Sequence, residues 1–399
     1  MTTSVLFVSH MPYLDTYGAS SALRLTVNAI TTSDTRGISA ALASPDAADV
    51  AEPFDRTASV QVPMHLNFEG SPPRVVSAFW NSAYYNMGRF HLKHNSEFQD
   101  LLNSTDLVHL NSVSLSWLPS MLRFNSGRRP KFICHVRERL RSRFPNEKHD
   151  FGNLSGFICI DQTLLRPLRD FARLPETAPI LILPDLVNGE FTSATRVRRR
   201  IEQWAGNRKV VGVAGRIDPV KGFSFLASVT RQRSGDWGIA VAGRITKNPM
   251  RLDSKLEARK LLGNRVATQG LDVLHLGELP NLPESGFYDA IDVLVRGEAG
   301  PAVGLTVYEA LIRGVPVVLP GTPDDYRDIS ILSDATDIIL YASPRDARSY
   351  SRALDSALTI SNQVRQETSL KLRARQSQRT QFHRDKLLDF YETIGGGGS

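Results

Sequence analysis

The sequence predicts an α/β protein made of two doubly wound domains. Short apolar runs alternate with longer amphipathic stretches throughout the 399 residues, a pattern typical of parallel sheets built from βα units. A chain of this length also exceeds what one ordinary hydrophobic core accommodates. A basic, turn-rich stretch near the middle separates two such series of apolar runs.

Each series begins with an apolar strand and continues with strands separated by helix-sized intervals. In the first half we predict strands over residues 5–9, 40–44, 107–110, 131–135, 156–160 and 179–183, and helices over 19–29 and 86–102. In the second half we predict strands over residues 209–214, 237–242, 273–276, 293–296, 315–319 and 338–341. Both halves therefore have the strand–helix alternation of a complete domain.

The predicted domain boundaries follow the change in composition between the halves. An N-terminal domain spans residues 1–190, a linker 191–207 and a C-terminal domain 208–379. A final helix over 380–394 is expected to cross back onto the N-terminal domain, because its apolar stripe needs a surface to cover. That stripe comprises Phe382, Leu387, Leu388, Phe390 and Tyr391. Residues 395–399, Gly-Gly-Gly-Gly-Ser, have the composition of an added flexible linker.

The most informative motif lies at residues 212–222, where an apolar strand ends at Gly215. It is followed by Arg216, an Asp-Pro turn and Lys221. Open α/β sheets bind their ligands at the carboxyl edge of the strands. Two cations at this edge indicate a site for an anionic group such as a diphosphate.

A second motif at residues 304–318 consists of a loop, a helix, a turn and a strand. Backbone amides at a helix start hold anions well, and the carboxylate of Glu309 on the same helix suits the hydroxyls of a ribose. The two motifs together predict a nucleotide-diphosphate site. The amides expected to face the phosphates or the sugar belong to Val303, Gly304, Leu305 and Thr306.

The ordered set of motifs resembles the retaining glycosyltransferases of the GT-B fold, in a form similar to glycosyltransferase family 4. The segments that carry the resemblance are 5–10, 17–20, 106–110, 183–189, 215–222 and 304–318. The resemblance implies two Rossmann-like domains facing each other across a cleft, with the acceptor on the N-terminal domain and the nucleotide sugar on the C-terminal one. It also implies transfer of a sugar to a glycan or lipid-linked acceptor, in cell-surface polysaccharide or glycoconjugate biosynthesis.

The resemblance assigns catalytic roles to His135, Arg216 and Lys221. The two cations stabilise the diphosphate as it leaves with negative charge, which is where electrostatic catalysis is most effective; the alternative is a surface salt bridge. His135 ends a predicted strand and matches a histidine beside the reacting sugar, whereas His109 ends the preceding strand. Either histidine could instead be a hydrogen-bonded core residue.

The predicted acceptor side of the cleft comprises Gly18, Ala19, His109, Arg137 and Glu138. The glycine lets a ligand approach the backbone closely, and the last two could bind the acceptor or pair with each other. Aromatic residues between 67 and 87 suit sugar stacking or simple packing.

One position departs from the family pattern. Eight residues before Glu309, where the family has a glutamate that contacts the donor sugar, this chain has Pro301. We expect Glu298, the nearest carboxylate, to take over that contact. Two alternatives are recognition of the sugar by backbone amides alone and loss of transfer.

Hydropathy, cysteine content and charge limit the cellular location and the partners that we expect. No apolar run reaches the ~18 residues needed to span a bilayer, the N-terminus lacks a signal peptide, and two isolated cysteines suit a reducing cytosol. We therefore expect a cytoplasmic protein. The net charge of +7 includes basic clusters at residues 137–143, 196–200 and 371–379. These are either solvated helix faces or a peripheral contact with an anionic membrane.

Nucleic acid is not an expected partner, because no recognition motif accompanies the charge. No Asp-x-Asp follows an apolar strand, so we expect no metal and no cofactor besides the donor substrate. The competing functions are a sugar-nucleotide epimerase or hydrolase and a degenerate binding or scaffold protein. The sequence gives no prediction of the donor base, the donor sugar, the acceptor or the oligomeric state.

Overall fold

The computed structural model describes residues 3–15, 18–32, 38–50, 52–62, 86–88, 90–122, 129–137, 151–189, 194–217, 219–230, 236–244, 273–279, 281–301, 303–327 and 329–396. Contacts among these residues divide the chain into two units. The first contains the described residues up to Leu186 and those from Ser377 onward, and the second runs from Val187 to Gln376. The predicted fold class, two doubly wound α/β domains, is confirmed.

The first unit is built on a parallel sheet of seven strands. They are β1 (Thr3–Val8), β2 (Ile38–Ser44), β3 (Arg56–Ser59), β4 (Leu107–Leu110), β5 (Lys131–Val136), β6 (Gly156–Cys159) and β7 (Ile180–Ile182). The helices between them are α1 (Gly18–Thr31), α2 (Ser96–Asn103), α3 (Leu118–Met121) and α4 (Leu165–Ala172). The strand order β3-β2-β1-β4-β5-β6-β7 reverses between β1 and β4, and doubly wound folds bind ligands at such a reversal.

The second unit contains a parallel sheet of six strands. They are β8 (Lys209–Ala214), β9 (Trp237–Ala242), β10 (Val273–Gly277), β11 (Val293–Val295), β12 (Val317–Pro320) and β13 (Ile339–Ala342). Its helices are α5 (Thr195–Ala205), α6 (Phe223–Val229), α7 (Leu305–Ile312), α8 (Ser330–Ser333), α9 (Ala347–Leu358) and α10 (Asn362–Ala374). The order β10-β9-β8-β11-β12-β13 reverses between β8 and β11. This reversal brings the loops after those two strands together.

The last helix, α11 (Gln376–Gly396), lies after the second unit in sequence and packs into the core of the first. Its buried residues Leu387, Leu388, Tyr391 and Ile394 share that core with Phe7. Phe382, which we placed in the apolar stripe, is 55% exposed, whereas His383 is buried. His383 takes the place of Phe382 in the buried stripe because His383, Leu387 and Tyr391 recur at the four-residue helical spacing. The helix also continues into Gly395 and Gly396, which we had placed in a linker.

Three further elements differ from the sequence prediction. Residues 194–205 of the predicted linker include α5, whose Ile201 and Ala205 are buried in the second unit's core; the arginines that precede Ile201 in this helix obscured the apolar spacing. The predicted helix over 86–102 is interrupted at Asn95, whose side chain caps α2 by accepting a bond from the amide of Phe98. Strand β3 was missed because it is short and polar, with only Ala58 buried.

No described helix is both long enough and apolar enough to cross a membrane.

Candidate functional site

The strand reversal of the second sheet brings together the two loops that follow β8 and β11. Gly222 has a φ of 71°, and a Cβ at this position would lie 1.8 Å from the carbonyl oxygen of Gly297. Only glycine allows so close an approach. The loop that carries Lys221 is thereby held against the segment of residues 296–298.

A cluster of three charged side chains, Lys221, Arg296 and Glu298, lies where these two segments meet. The Lys221 ammonium lies 3.3 Å from Oε1 of Glu298, and Arg296 donates from Nε to Oε2 at 3.2 Å and from Nη2 to Oε1. Burial by itself would raise the pKa of Glu298, but Arg296 and Lys221 outweigh it and lower the pKa. Burial and the nearby Arg296 lower the pKa of Lys221, partly offset by Glu298. Glu298 is therefore ionised and accepts bonds from its cationic neighbours.

The start of α7 adjoins this cluster. Gly304 is the N-cap residue with extended backbone, and α7 begins at Leu305. The first amides of a helix have no carbonyl partner within the helix, so those at this end are directed toward the edge of the sheet. Arg296 Nη1 donates to Oγ1 of Thr306 at 2.7 Å, which ties the ion cluster to the helix start. Val303, whose amide we included in the site, has a buried side chain immediately before the cap.

Glu309 lies in the second turn of α7 and is 8% exposed. Its Oε2 accepts a bond from the hydroxyl of Tyr288 at 2.7 Å. Burial raises the pKa of Glu309 to about 7, while Tyr288 and Arg313 act in the opposite direction. The carboxyl therefore titrates close to neutral pH. Arg216, at the end of β8, is exposed, and its charge helps to lower the pKa of Lys221.

Two histidines of the first unit, His109 and His135, form a buried hydrogen-bonded chain with Tyr391. His109 is fully buried, with its Nδ1 2.5 Å from the Tyr391 hydroxyl and its Nε2 3.2 Å from Nδ1 of His135. Burial, reinforced by Arg137, lowers the pKa of His109 to about 3 and also lowers that of His135. Both rings are therefore neutral. The structure places His109 in the core, which corrects our prediction that it faces a ligand: both of its nitrogens have protein partners.

One ring nitrogen of His135, Nε2, differs from the nitrogens of His109 in its surroundings. Its Nε2 lies 3.9 Å from Oδ1 of Asp185, beyond hydrogen-bond distance, and has no hydrogen-bond partner among the described residues. With Tyr391 donating to Nδ1 of His109 and Nε2 of His109 donating to Nδ1 of His135, both close contacts are hydrogen bonds and the proton of His135 lies on Nε2. We infer that this N–H is directed toward Asp185.

Arg137 connects the same corner of the first sheet to α1. Its Nε donates to the Asp185 carboxylate at 3.0 Å and its Nη1 to the Asn111 carbonyl at 3.0 Å. The Asn111 amide reaches the carbonyl of Ala19 at 3.3 Å. Burial raises the pKa of Asp185, although Arg137 opposes this. The predicted residues Ala19, Arg137 and His135 are thus joined at the carboxyl edge of the first sheet.

Of the remaining predicted residues, one is exposed and the others lie outside the described part of the chain. Gly18 is exposed and begins α1. Glu138 and residues 67–85 lie outside the described part of the chain. Sequence reasoning did not assign roles to four residues that the structure adds: Asn111, Asp185, Tyr288 and Arg296. For three of them a signal existed, since Asn111, Asp185 and Arg296 each follow a strand at the ligand-binding edge.

Comparisons with known structures decide the fold family. Sucrose-phosphate synthase from Thermosynechococcus elongatus superposes with a TM-score of 0.63 and 17% identity, over 98% of this chain and 96% of that one. The chain has the GT-B fold. Trehalose-6-phosphate synthase OtsA superposes with a TM-score of 0.68 and 13% identity, over 98% of this chain and 99% of that one. Anabaena HepE in complex with UDP and glucose gives a TM-score of 0.61 and 14% identity, over 98% of this GT-B chain and 100% of that one.

Sequence comparison is more limited. No family model matches the chain. The lipopolysaccharide core biosynthesis mannosyltransferase LpsB of Rhizobium meliloti is 37% identical over 116 residues, which is 28% of this GT-B chain and 31% of the relative. The match therefore spans about a third of the relative's length.

Proposed function

We propose that this GT-B protein is a glycosyltransferase that moves a sugar from a nucleotide-diphosphate donor to a glycan or lipid-linked acceptor. We further propose that the transfer retains the anomeric configuration, needs no metal ion, and serves cell-surface polysaccharide or glycoconjugate biosynthesis. The proposal rests mainly on one observation: Lys221, the start of α7 and Glu309 belong to elements that meet at the strand reversal of the second sheet.

The chemistry of this edge suits a nucleoside diphosphate. Lys221 and Arg216 supply positive charge for the two phosphates, and the amides of Gly304, Leu305 and Thr306 supply hydrogen bonds. Glu309 accepts bonds from the ribose hydroxyls. The Lys221 loop is held where Gly222 packs against Gly297, and Glu309 is held by the Tyr288 hydroxyl. Preorganised groups of this kind lower a barrier most effectively.

The proposed reaction is a substitution on one face of the sugar. The bond from the anomeric carbon to the phosphate oxygen breaks, and a bond from the acceptor oxygen forms on the same face. The acceptor's proton passes to the departing phosphate oxygen. This route needs cations at the leaving group and no protein nucleophile, which agrees with the proposed roles of Arg216 and Lys221.

The first unit is proposed to bind the acceptor and to contact the reacting sugar. His135 offers a neutral ring with one nitrogen unused by the described residues, and Arg137 lies at the same corner of the sheet. Neutral hydrogen-bonding groups suit sugar hydroxyls. The backbone at Gly18 and Ala19 completes the proposed acceptor side.

The compared proteins support the class of donor and the biosynthetic setting. HepE has been crystallised with UDP and with UDP-glucose, and the partial sequence match is to a mannosyltransferase of lipopolysaccharide core biosynthesis. We extend from these a nucleotide-sugar donor and a surface glycan as the product.

Pro301 favours one alternative, a protein that binds nucleotides but no longer transfers sugar. It occupies the position of the family's donor-sugar glutamate. A scaffold of this kind would bind a nucleoside diphosphate and would neither hydrolyse nor transfer the sugar of any donor. A hydrolase or epimerase would consume the donor without an acceptor.

The test is a thermal-shift panel of UDP, GDP, ADP and their common sugar conjugates, followed by donor-consumption assays with and without cell-envelope glycolipids. A bound ligand at a hundred times its dissociation constant adds about 2.7 kcal/mol of stability. Nuclear magnetic resonance of the product determines the anomeric configuration, and unchanged turnover in EDTA is expected. The absence of stabilisation by every nucleotide would contradict the proposal.

A cytoplasmic location with peripheral attachment to an anionic membrane is a separate proposal. It rests on the basic residues of α5 and of α10 and α11, among them Arg196, Lys371 and Arg379. Co-sedimentation with vesicles that contain an anionic lipid should be strong at low salt and weak at high salt. Equal binding to neutral vesicles would contradict it.

A further inference from the structure

The pair formed by Arg296 and Glu298 lies between the two elements proposed to bind the donor diphosphate. On one side Glu298 approaches Lys221, with 3.3 Å between Oε1 and Nζ. On the other side Arg296 donates to Thr306 at the start of α7 over 2.7 Å. The pair therefore links the lysine loop to the helix start.

The hydrogen-bonding capacity of Glu298 is largely taken by these neighbours. Its Oε2 accepts from Nε of Arg296, and its Oε1 faces both Nη2 of Arg296 and the Lys221 ammonium. Only 6% of Glu298 is exposed. A sugar hydroxyl bound here would have to displace a cation from a buried carboxylate, which is costly.

Arg296 is held in place from several directions. Its guanidinium is bonded to Glu298 and Thr306, and its backbone carbonyl accepts a bond from the Tyr350 hydroxyl at 2.8 Å. A Cβ on Gly304 would lie 3.7 Å from Nη2 of Arg296. The guanidinium thus lies directly beside the helix cap, where it adds positive charge to the helix start.

We propose that Glu298 and Arg296 are positioning residues that orient Lys221 and the first turn of α7 for the donor diphosphate, and that Glu298 does not bind the donor sugar. The inference rests on the proposed function of this edge. Lys221 keeps 35% of its side chain exposed, whereas Arg296 keeps 7% and Glu298 8%. The lysine can therefore contact the phosphates, while the buried pair acts through it.

The charges support this division of roles. Two cations face one carboxylate in the cluster, and Arg216 adds a further positive charge acting on Lys221. The Tyr350 hydroxyl also faces the cluster, and burial raises its pKa, so it stays neutral. A net positive charge remains for an incoming diphosphate. Glu298 opposes the lowering of the Lys221 pKa and so helps to keep the lysine protonated.

The first experiment measures the affinity of UDP, GDP and inorganic pyrophosphate by calorimetry between pH 7.5 and 10. The wild type should lose affinity as Lys221 loses its proton. In Glu298→Gln that loss should begin about one pH unit lower, the usual effect of removing one nearby opposite charge. Asp292→Asn is the matched control, because it removes one carboxylate just before β11 that pairs with Lys209, whereas Glu298 follows the same strand. Its profile should coincide with that of the wild type.

The opposite result is equally specific. If Glu298 binds the sugar, Glu298→Gln should leave the pH profile of each nucleoside diphosphate unchanged. It should then weaken only the additional affinity of the corresponding nucleotide sugar. That outcome overturns the inference and leaves the proposed function standing. A wild type that binds none of the three probes overturns both.

A second pair of variants tests the link to α7 while keeping both charged residues of the buried ion pair. Thr306→Val removes the oxygen that accepts from Arg296 and keeps the side chain's shape, and it should weaken pyrophosphate binding about threefold to tenfold, as expected for one lost hydrogen bond. Thr306→Ser keeps the hydroxyl and should restore binding. Equal affinities in the wild type and both variants would show that Arg296 does not position the helix start.

Discussion

The two sheets present chemically different groups at their carboxyl edges. The second sheet carries ionised side chains, with Lys221, Arg296 and Glu298 in one cluster. The first sheet carries His135, whose pKa is lowered by burial so that the ring stays neutral, with Nε2 lacking a partner among the described residues. Its ion pair joins Arg137 to Asp185, with 3.0 Å between Nε and Oδ1, so the two opposite charges compensate each other.

Under the proposed function, the same architecture serves two kinds of recognition. An edge with surplus positive charge attracts a diphosphate and stabilises its departure. An edge with neutral donors and acceptors suits hydroxyls, which need both and carry no charge. The distinction follows from the residues placed after each strand, since the reversal of strand order is the same in both sheets.

The largest effect is expected at the charged edge. Lys221→Ala and Arg216→Ala should each lower turnover at least ~100-fold, the scale of removing one preorganised partner of a developing charge. Steady-state kinetics with the best donor measures this. Lys209→Ala, which removes an exposed lysine at the other end of β8, should keep wild-type turnover. Normal turnover in both edge variants would place the diphosphate elsewhere.

The neutral edge should respond in turnover but not in nucleotide affinity. His135→Gln removes the ring whose Nε2 lacks a partner among the described residues. We expect turnover to fall about tenfold, in keeping with the loss of one oriented hydrogen bond, and the affinity for UDP or GDP to stay within twofold. Kinetics and calorimetry on the same preparation check both parts. A selective loss of nucleotide affinity would erase the contrast between the edges.

Glu309 allows a test of pH dependence within the charged edge. Its pKa of about 7 means that the ionised, hydrogen-bond-accepting form predominates at pH 8 and the protonated form at pH 6. Nucleoside diphosphate affinity should therefore fall as the pH falls, by up to about tenfold at pH 6, where about a tenth of the carboxyl is ionised. Glu309→Gln is the reference, because the ligand's phosphate titrates equally in both proteins. Parallel profiles would exclude a role for this ionisation.

The smallest effect is expected from the hydrogen bond between Tyr391 and His109, which supports the neutral edge. Tyr391→Phe removes the hydroxyl bonded to His109 and should lower the free energy of unfolding by about 1 kcal/mol, the typical value for one buried hydrogen bond. Urea unfolding measures it, with Tyr341→Phe on a partly buried tyrosine of the second unit as control. Nucleotide affinity should not change. Equal stability of the two variants would mean that the His109 contact is unimportant.

Local patterns were sufficient to predict most strands. Strands β8 and β9 occur over the predicted residues 209–214 and 237–242, because a strand buried on both faces is a continuous apolar run between turns. Strand β3 has no such run and depends on its neighbour β2 for pairing. Asn95 favours helix capping over helix continuation, which the apolar spacing alone does not reveal.

The candidate site also contains residues that local sequence patterns predict and contacts that they do not. Arg216, Lys221 and Glu309 could be predicted as site residues because each has a fixed place after a strand or in a helix within one motif. The contacts at the edge of the first sheet, in contrast, join distant parts of the chain. Arg137 and Asp185 are 48 residues apart, and His109 and Tyr391 are 282 apart. Such pairings depend on the packed fold, so a sequence read locally cannot predict them.

The placement of α11 has a consequence for how the protein is made. The first unit needs residues from both ends of the chain, and the whole of the second unit is synthesised before α11 emerges. During that interval the surface that later receives Leu387, Leu388, Tyr391 and Ile394 remains uncovered. The second unit has all its residues earlier and can complete its core first. Translation that stops after Gln376 therefore yields one finished domain and one with an open apolar groove, a substrate for chaperones and proteases.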